Sequence, residues 1–353
     1  MSGPERRWVL GGGAVLVAAL VFTGVRSGGD EAAPPPPPSR PAPSPDRMLT
    51  AARYGASLTG TPEIVRVARD DAVWVLIRRD GHSTLARIDG RQLREVPVYG
   101  VDPRELVPGF GHASPYLAYG AGDTLGVLNR DGLEEDRVVI PGEARDVALD
   151  RLGAVWFTNR PSAALGRWDG RRVTKMRLSM TPRPRLDEIV LQGDGSSKLW
   201  FLDERGRGRF GLVDPIGRGG VSTWGVEGGL PSSGPSRLTA SFARAAWYTT
   251  ATGVGSVSEQ DGARVVVRSL PAPPGALAGG PDGNLWVAAR RGPWLFRISP
   301  SQAVTRYTLD LPQNARLRDI ARDTPRGDLW IACARPPALL KVEIPELRSK
   351  LGR

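Results

Sequence analysis

The sequence has one cysteine, two histidines and few aromatic residues, and each shortage excludes a class of protein. Cys333 alone cannot form an internal disulfide framework, a cysteine-based zinc site or an iron–sulfur cluster. His82 and His112 are too few for a histidine-rich metal centre. Aromatic residues make up only 7% of the 353 residues, whereas 44 glycines and 32 prolines indicate many turns between short elements rather than long helices.

Acidic residues are outnumbered by basic ones. The chain has 48 lysines and arginines against 37 aspartates and glutamates, a formal charge of +11. Such a balance attracts anionic partners but carries no information about the fold. The hydrophobic fraction of 40% is enough for a sizeable core, so we expect most of the chain to be globular.

The N-terminus has the pattern of a targeting segment. Arg6 and Arg7 precede an uncharged run over residues 8–25, which Arg26 closes. A run of this length can just span the hydrocarbon layer of a membrane, and its positive flank keeps residues 1–7 in the cytoplasm. We therefore expect a retained single-pass anchor with the following chain outside the cytoplasm. A cleaved signal peptide, which would release a secreted protein, is the alternative.

A proline-rich linker is predicted over residues 26–46. Eight prolines lie between Pro34 and Pro45. Proline fixes φ and removes a hydrogen-bond donor, so this stretch should be extended polyproline II with a rise of about 3.1 Å per residue. We interpret it as a spacer between a membrane and the domain over residues 47–353, in preference to a ligand for a proline-recognising domain.

An internal repeat predicts the architecture of residues 47–353. A short apolar strand centred on an aromatic residue recurs at intervals of 39 to 47 residues, at Trp74, Tyr116, Trp156, Trp200, Trp247, Trp286 and Trp330. Intervals of this length are typical of four-stranded propeller blades. The sequence therefore predicts an all-β fold, a seven-bladed β-propeller.

Each repeat can be divided into four strands. A strand of small residues, the aromatic strand and a third strand are followed by an Asp-Gly pair such as Asp131-Gly132, which favours a two-residue hairpin turn before the fourth strand. The tryptophans are predicted to pack neighbouring blades together. The last repeat ends before a clear fourth strand, so we expect residues 47–58 to supply it and close the ring.

Two stretches carry a resemblance to a known family. Val155-Trp156-Phe157-Thr158-Asn159, followed by Leu165-Gly166-Arg167-Trp168, resembles the repeat of the virginiamycin B lyase (streptogramin lyase) family. The run Gly279-Gly280-Pro281-Asp282-Gly283-Asn284-Leu285-Trp286-Val287 resembles it too. The resemblance covers roughly residues 60–345 and implies a seven-bladed propeller. It also implies a lyase that opens a cyclic depsipeptide by elimination, using Mg²⁺, a histidine and glutamates near the axis.

The catalytic set implied by this resemblance is not found at the corresponding positions. The residues three after each aromatic are Ile77, Tyr119, Asn159, Asp203, Thr250, Ala289 and Cys333. Asp203 is the only acid among them and none is histidine, whereas magnesium requires oxygen ligands and elimination requires a base. We therefore predict no catalytic residues, no metal and no cofactor. Cys333 is expected to be a buried, inert thiol.

Charged residues are predicted to gather at one end of the propeller axis. Loops between second and third strands and segments before the first strands meet there, and many carry arginine, whose guanidinium suits carboxylates and phosphates. The predicted ligand-binding residues are Arg145, Asp146, Glu188, Asp203, Arg205, Arg237, Arg290, Arg318 and Asp319. Solvated loop arginines that bind nothing are the alternative.

These observations favour a membrane-anchored, extracytoplasmic propeller that binds an anionic envelope component or an acidic protein surface without chemistry. We expect no nucleic-acid partner, because the Arg205-Gly-Arg-Gly-Arg run is too short for that role. The alternatives are a streptogramin-type lyase in which Asp203 or Glu188 holds Mg²⁺, and a structural scaffold in an envelope complex.

Overall fold

The computed structural model describes residues 47–54, 58, 60–89, 92–109, 115–159, 163–192, 197–204, 208–214, 220–225, 238–240, 245–279, 284–323 and 327–344. In these ranges 29 strands form seven sheets, and there is no α-helix. No helix that could cross a bilayer occurs in them. The predicted anchor over residues 8–25 and the linker over residues 26–46 lie outside the described residues.

The sheets follow one another along the chain, each with consecutive strands as antiparallel neighbours. Blades 1 and 2 consist of β3 (Thr61–Val67), β4 (Val73–Arg79), β5 (His82–Asp89), β6 (Gln92–Val96), β7 (Glu105–Pro108), β8 (Leu117–Ala121), β9 (Thr124–Leu128) and β10 (Glu134–Val139). Blades 3 and 4 consist of β11 (Ala144–Leu149), β12 (Val155–Asn159), β13 (Ala164–Trp168), β14 (Val173–Arg177), β15 (Leu186–Leu191), β16 (Leu199–Asp203), β17 (Arg209–Val213) and β18 (Val221–Gly225).

Blades 5 and 6 consist of β19 (Leu238–Ala240), β20 (Ala245–Thr249), β21 (Val254–Ser258), β22 (Gly262–Val267), β23 (Pro274–Gly279), β24 (Leu285–Ala289), β25 (Trp294–Ile298) and β26 (Val304–Leu309). Blade 7 contains β27 (Arg316–Asp323), β28 (Asp328–Arg335) and β29 (Pro337–Glu343). The predicted seven-bladed propeller is confirmed.

The ring closes through the first described residues. Strand β2 (Ala51–Tyr54) pairs antiparallel with β29 and is the fourth strand of blade 7, as predicted for this segment. Strand β1 (Arg47–Leu49), which was not predicted, pairs in parallel with β26 as a fifth strand of blade 6. One segment therefore extends one blade and completes the next, and β2 covers an edge that would otherwise be open.

Tryptophans pack consecutive blades against each other, as predicted. Trp74 lies in one buried cluster with Leu106 of blade 2, and Trp200 in another with Tyr248 of blade 5. Trp330 of blade 7 packs with Val65 of blade 1, so the same contact joins the two ends of the ring. Burying an indole in each seam supplies much of the apolar area that holds the blades together.

Blade 2 departs from the predicted alignment. Tyr119 is the cross-strand partner of Gly126, just as Phe157 is the partner of Gly166 in blade 3. Ala118 therefore occupies the tryptophan position. Tyr116, which precedes β8 by one residue, instead packs edge-on against Trp74 with a centroid distance of 6.1 Å. The prediction that Tyr116 is the repeat aromatic is wrong by two residues, because it was based on aromatic identity alone.

A glycine lies beneath the aromatic residue that follows the tryptophan position in four blades. The cross-strand pairs are Tyr119–Gly126, Phe157–Gly166, Phe201–Gly211 and Tyr248–Gly255. A Cβ at Gly211 would lie 1.9 Å from Cζ of Phe201, so no larger residue fits unless the ring moves. In blade 1 the same two positions are occupied by Val75 and Ala86, whose smaller side chain at the aromatic position leaves room for a Cβ on the partner.

The turn at Asp131-Gly132 is longer than the predicted two-residue hairpin, whereas Asp89 pairs directly with Gln92, the spacing of a two-residue loop. β9 and β10 are separated by residues 129–133, and within this loop Gly132 has a positive φ of 84° whereas Asp131 does not. The Asn129 side chain accepts hydrogen bonds from the backbone N–H groups of Asp131 and Leu133, both at 2.9 Å. This side-chain contact stabilises a loop in which only the glycine needs the left-handed conformation.

Candidate functional site

The innermost strands of the seven blades surround a central channel. The cavity has a volume of about 1340 Å³ and is lined by residues of β3, β7, β11, β15, β19, β23 and β27. We call the end at which these strands begin the mouth. Described lining residues include six arginines and five acids, namely Arg66, Arg78, Arg104, Arg145, Arg151 and Arg322 with Glu105, Asp146, Asp187, Glu188 and Asp319. The described lining is thus rich in charged residues, but its positive and negative charges nearly cancel.

Carboxylates near the mouth connect neighbouring blades. Asp146 of blade 3 accepts the N–H of Ile189 in blade 4 at 2.8 Å. Glu188 of blade 4 accepts the N–H of Leu238 in blade 5.

The contact recurs across the closure of the ring, where Asp319 of blade 7 accepts the N–H of Val65 in blade 1 at 3.0 Å. All three donors are the cross-strand partners of the residue after the tryptophan position. The inner strand is a sheet edge with unpaired backbone groups, which explains why a carboxylate is needed at this position.

Local irregularities of the inner strands place these carboxylates. The pairing register shifts at the start of β11 between Ala144 and Val147, and at the start of β15 between Leu186 and Ile189. A bulge inserts an extra residue and redirects its side chain. Asp146 and Glu188 lie within these bulges, so their carboxylates reach the next blade, and Asp146 also accepts the N–H of Val147 in its own strand at 2.9 Å.

Arg66 crosses the seams on both sides of blade 1. Its guanidinium forms an ion pair with Asp319 of blade 7 and donates to the carbonyl of Leu106 in blade 2 at 3.0 Å. It also donates to the carbonyl of Val65 at 2.8 Å. One side chain thereby contacts three blades at the wall of the channel.

A second set of ion pairs lies at the mouth. Arg145 pairs with Asp187 of the next blade at 3.1 Å, and this hydrogen bond raises the pKa of the Arg145 guanidinium. Arg104 pairs with Glu143 at 3.2 Å. The Arg145 and Arg104 side chains are about half exposed, at 50% and 54%, so these pairs contribute little stability and orient charge more than they stabilise the fold.

The structure brings some of the predicted site residues together and separates others. Arg145, Asp146, Glu188 and Asp319 line the channel. Arg318 is exposed beside Asp319 at the mouth, and Arg290 is half-buried in the loop after β24. Arg205 and Arg237 lie outside the described residues.

Asp203 lies away from the channel lining. It is fully buried at the end of β16, where its carboxylate pairs with Arg209 at 2.6 Å and accepts the N–H of Arg185 at 2.7 Å. These contacts join the second and third strands of blade 4 to the segment that precedes its first strand. Asp203 is therefore placed to stabilise blade 4 and does not face a ligand in the channel.

Seven of the described charged channel residues are absent from the predicted set, namely Arg66, Arg78, Arg104, Glu105, Arg151, Asp187 and Arg322. Glu105 is at the blade position of Asp146, immediately before Leu106, the cross-strand partner of Tyr119. Aligning blade 2 on Gly126 instead of Tyr116 would have identified it.

The residues present do not fit the magnesium site that the family resemblance implies. The described part of the chain contains no group of three His, Cys, Asp or Glu residues placed to hold a metal ion. Oxygens of Asp146 and Asp319 that would have to coordinate the ion accept backbone N–H groups instead. His82 is exposed at the start of β5, and His112 lies outside the described residues.

Cys333 is the buried thiol that the sequence predicts. Burial raises its pKa, and its Sγ donates to the carbonyl of Arg335 at 3.2 Å. A protonated, enclosed thiol of this kind is a poor nucleophile.

Comparison with known proteins is consistent with this architecture. No protein-family profile matches the chain. Over 169 residues it is 27% identical to virginiamycin B lyase of Nocardia farcinica (strain IFM 10152), a match that covers 47% of this chain and 55% of that protein. The alignment therefore spans only about half the length of this relative.

Solved structures match over most of the propeller. A streptogramin B lyase has a TM-score of 0.68 at 16% identity, covering 83% of this chain and 97% of that one. This chain has the fold of a streptogramin lyase.

A catalytically inactive histidine-to-alanine variant of virginiamycin B lyase from Staphylococcus aureus, with quinupristin, has a TM-score of 0.68 at 17% identity, covering 84% and 99%. The extracellular domain of a hybrid two-component system from B. thetaiotaomicron has a TM-score of 0.64 at 14% identity, covering 83% of this chain and 40% of that one. Identities this low establish a shared fold only.

Neutralising Asp319 should weaken the seam between blades 7 and 1. In Asp319→Asn the amide keeps one oxygen for the N–H of Val65, but Arg66 loses its charged partner, so we expect a loss of about 2 kcal/mol in the free energy of unfolding. Urea unfolding followed by tryptophan fluorescence measures it. Asp310→Asn, at an exposed aspartate without an ion pair among the described residues, is the control and should change little. Equal effects of the two substitutions would contradict the bridging role of Asp319.

Proposed function

We propose that this chain is a membrane-anchored propeller that binds an anionic ligand or partner outside the cytoplasm without transforming it. The observation that carries the proposal is the use of the channel carboxylates. Asp146, Glu188 and Asp319 each accept the backbone N–H of a neighbouring blade, so their lone pairs contribute to holding the ring together. A general base must instead have a lone pair directed at a substrate proton.

The streptogramin lyase structures support the same conclusion by contrast. The Staphylococcus aureus enzyme is catalytically inactive in a histidine-to-alanine form, so a histidine is required in that protein. His82 is the one described histidine of this chain, and it is exposed at the beginning of β5 and absent from the channel lining. The fold is therefore shared, whereas the described channel offers no counterpart of that residue.

The anionic character of the proposed ligand follows from charge. The chain has a formal charge of +11, and the charges of residues 1–46 cancel, so the excess resides on the propeller. Guanidinium groups bind carboxylates and phosphates through paired N–H donors. The extracytoplasmic location is supported by the predicted anchor over residues 8–25 and by the likeness to an extracellular domain.

Binding of an anionic polymer should be sensitive to salt. The full chain is extracted from membranes in detergent and titrated with poly(glycerol phosphate), first near 0.1 M salt and then near 1 M salt. The Debye length falls from about 10 Å to about 3 Å over this range, so we expect the affinity to fall at least about tenfold. Absent binding, or binding insensitive to salt, would contradict the proposal.

A parallel assay tests the non-catalytic part of the proposal. The same preparation is incubated with a streptogramin B compound and Mg²⁺, and ring opening is followed by mass spectrometry. We expect no opening above the spontaneous rate. Enzymatic opening that Glu188→Gln abolishes would establish the lyase alternative instead.

A further inference from the structure

Two arginines of blade 7 face each other without an acid between them. Arg316 begins β27 and Arg335 ends β28, and their Cα atoms are direct partners in the antiparallel pair. Both side chains are exposed. Like charges directly opposite each other on neighbouring strands destabilise a sheet. The pair therefore lowers the stability of blade 7 unless an anion binds between the two side chains.

Two further arginines join this pair. Arg291 lies in the loop after β24, and the next residue, Gly292, donates its N–H to the carbonyl of Ala315 at 2.9 Å. Ala315 immediately precedes Arg316, so this hydrogen bond holds the loop of blade 6 beside the start of blade 7. Arg318 is exposed two residues further along β27. We call Arg291, Arg316, Arg318 and Arg335 the arginine patch.

The arginine patch differs from the rest of the mouth in having no described acid paired with it. Arg145 occupies the position in blade 3 that Arg318 has in blade 7, and it pairs with Asp187 of the following blade at 3.1 Å. The equivalent acid for Arg318 is Glu63 of blade 1, but Arg78 binds Glu63 at 3.2 Å.

The acids next to the patch in sequence are also not paired with it. The carboxylate of Asp319 accepts from Val65 and pairs with Arg66. Asp310 forms no ion pair with any described residue. Four arginines whose backbone positions lie together at the mouth thus have no ion pair within the described part of the chain.

We propose that the arginine patch is a binding site for a phosphoryl group. Two arginines on paired strands present more N–H donors than the two oxygens of one carboxylate can accept. Inorganic phosphate has four oxygens and carries up to two charges, and in a phosphodiester polymer, where each group has two free oxygens and one charge, successive groups can bind the two guanidiniums. The phosphoryl group can come from free phosphate or from a phosphodiester polymer of the envelope. This assignment rests on the proposed function and names the ligand class and its location.

The experiment compares variants of the full chain in detergent by calorimetric titration. Inorganic phosphate and poly(glycerol phosphate) are the phosphoryl probes, and poly-L-glutamate is the carboxylate probe. Arg316→Gln and Arg335→Gln each remove one fork. Arg177→Gln removes an exposed arginine of blade 3 that has no ion pair among the described residues, and it is the matched control.

We expect each patch variant to weaken phosphate binding at least about tenfold, and the control to leave it unchanged. Phosphate should raise the melting temperature of the wild type but not that of the double variant, which combines Arg316→Gln with Arg335→Gln. Because the substitutions relieve repulsion, the variants should melt no lower than the wild type without ligand, so a loss of binding cannot be ascribed to unfolding. Binding of both phosphoryl probes supports a site for the group itself, and binding of the polymer alone identifies the envelope polymer as its source.

Unchanged phosphoryl binding in the double variant would overturn the assignment of the patch. If the polymer still bound that variant in a salt-sensitive way, the proposed function would stand and the location would be wrong. Poly-L-glutamate binding as tight as that of poly(glycerol phosphate) would overturn the choice of phosphate. No polymer binding by the wild type would overturn both proposals together.

Discussion

The substitution Gly211→Ala should destabilise the propeller by about 3 kcal/mol, because blade 4 has no room for the added methyl group. A Cβ at this position would lie 1.9 Å from Cζ of Phe201, a ring that is fully buried between blades. Relief requires either rotation of the ring or separation of β16 and β17, and both disturb the seam with blade 3, where Phe201 packs in one cluster with Trp156. The urea midpoint, with an unchanged slope, measures the loss.

A smaller partner should restore part of this loss. Blade 1 places Val75 opposite Ala86 at the same cross-strand position, with both residues fully buried. Combining Phe201→Val with Gly211→Ala recreates that pair in blade 4. The double variant should be more stable than the sum of the two single effects predicts, by at least about 1 kcal/mol.

The control for this cycle is Gly225→Ala in β18 of the same blade. No atom lies within 4 Å of a Cβ built there, so we expect a change within about 0.5 kcal/mol. Strict additivity of the Phe201 and Gly211 substitutions, or a loss in Gly225→Ala equal to that in Gly211→Ala, would contradict the packing explanation.

We expect the second large loss in the free energy of unfolding when Asp150, a fully buried residue after β11, is substituted. Its carboxylate accepts the N–H groups of Leu152 and Ala154 and the indole Nε1–H of Trp156, all at 2.9 Å. Asp150→Ala leaves three donors without their acceptor, so we expect a loss of about 4 kcal/mol. Asp150→Asn keeps one oxygen for the turn but cannot accept from the indole, and about 2 kcal/mol should be lost.

The comparison with Asp169 separates burial from hydrogen bonding. Asp169 accepts the N–H groups of Arg171 and Arg172 at 3.1 and 3.0 Å, but water reaches its carboxylate. Asp169→Ala should therefore change the unfolding midpoint far less than Asp150→Ala. If the two alanine variants unfold at the same urea concentration, the stabilisation assigned to the buried acceptor is wrong.

The architecture was predictable from the sequence because it depends on a pattern that repeats. Tryptophans at Trp74, Trp156, Trp200, Trp286 and Trp330 recur at the spacing of a blade, and the missing last strand pointed to the N-terminal segment as its source. Neither inference required knowledge of a contact between distant residues.

The construction of the channel was not predictable in the same way. Whether Asp146 binds a ligand or the N–H of Ile189 depends on a bulge in β11 and on the distance to the next blade. Asp203 shows the same limit, because its partner Arg209 belongs to the adjacent strand of its own blade. A carboxylate in a propeller can bind a ligand or hold a strand, and only the geometry of its neighbours distinguishes the two.

The segment that closes the ring also determines how the propeller responds to tension. A force applied to the chain upstream of Arg47 acts first on β1, whose three residues pair in parallel with β26. Thr50 alone separates β1 from β2, which pairs with β29 over four residues. Detachment of β1 would therefore release its three residues before the force acted on β2. Blade 7 would then keep its fourth strand under a moderate force.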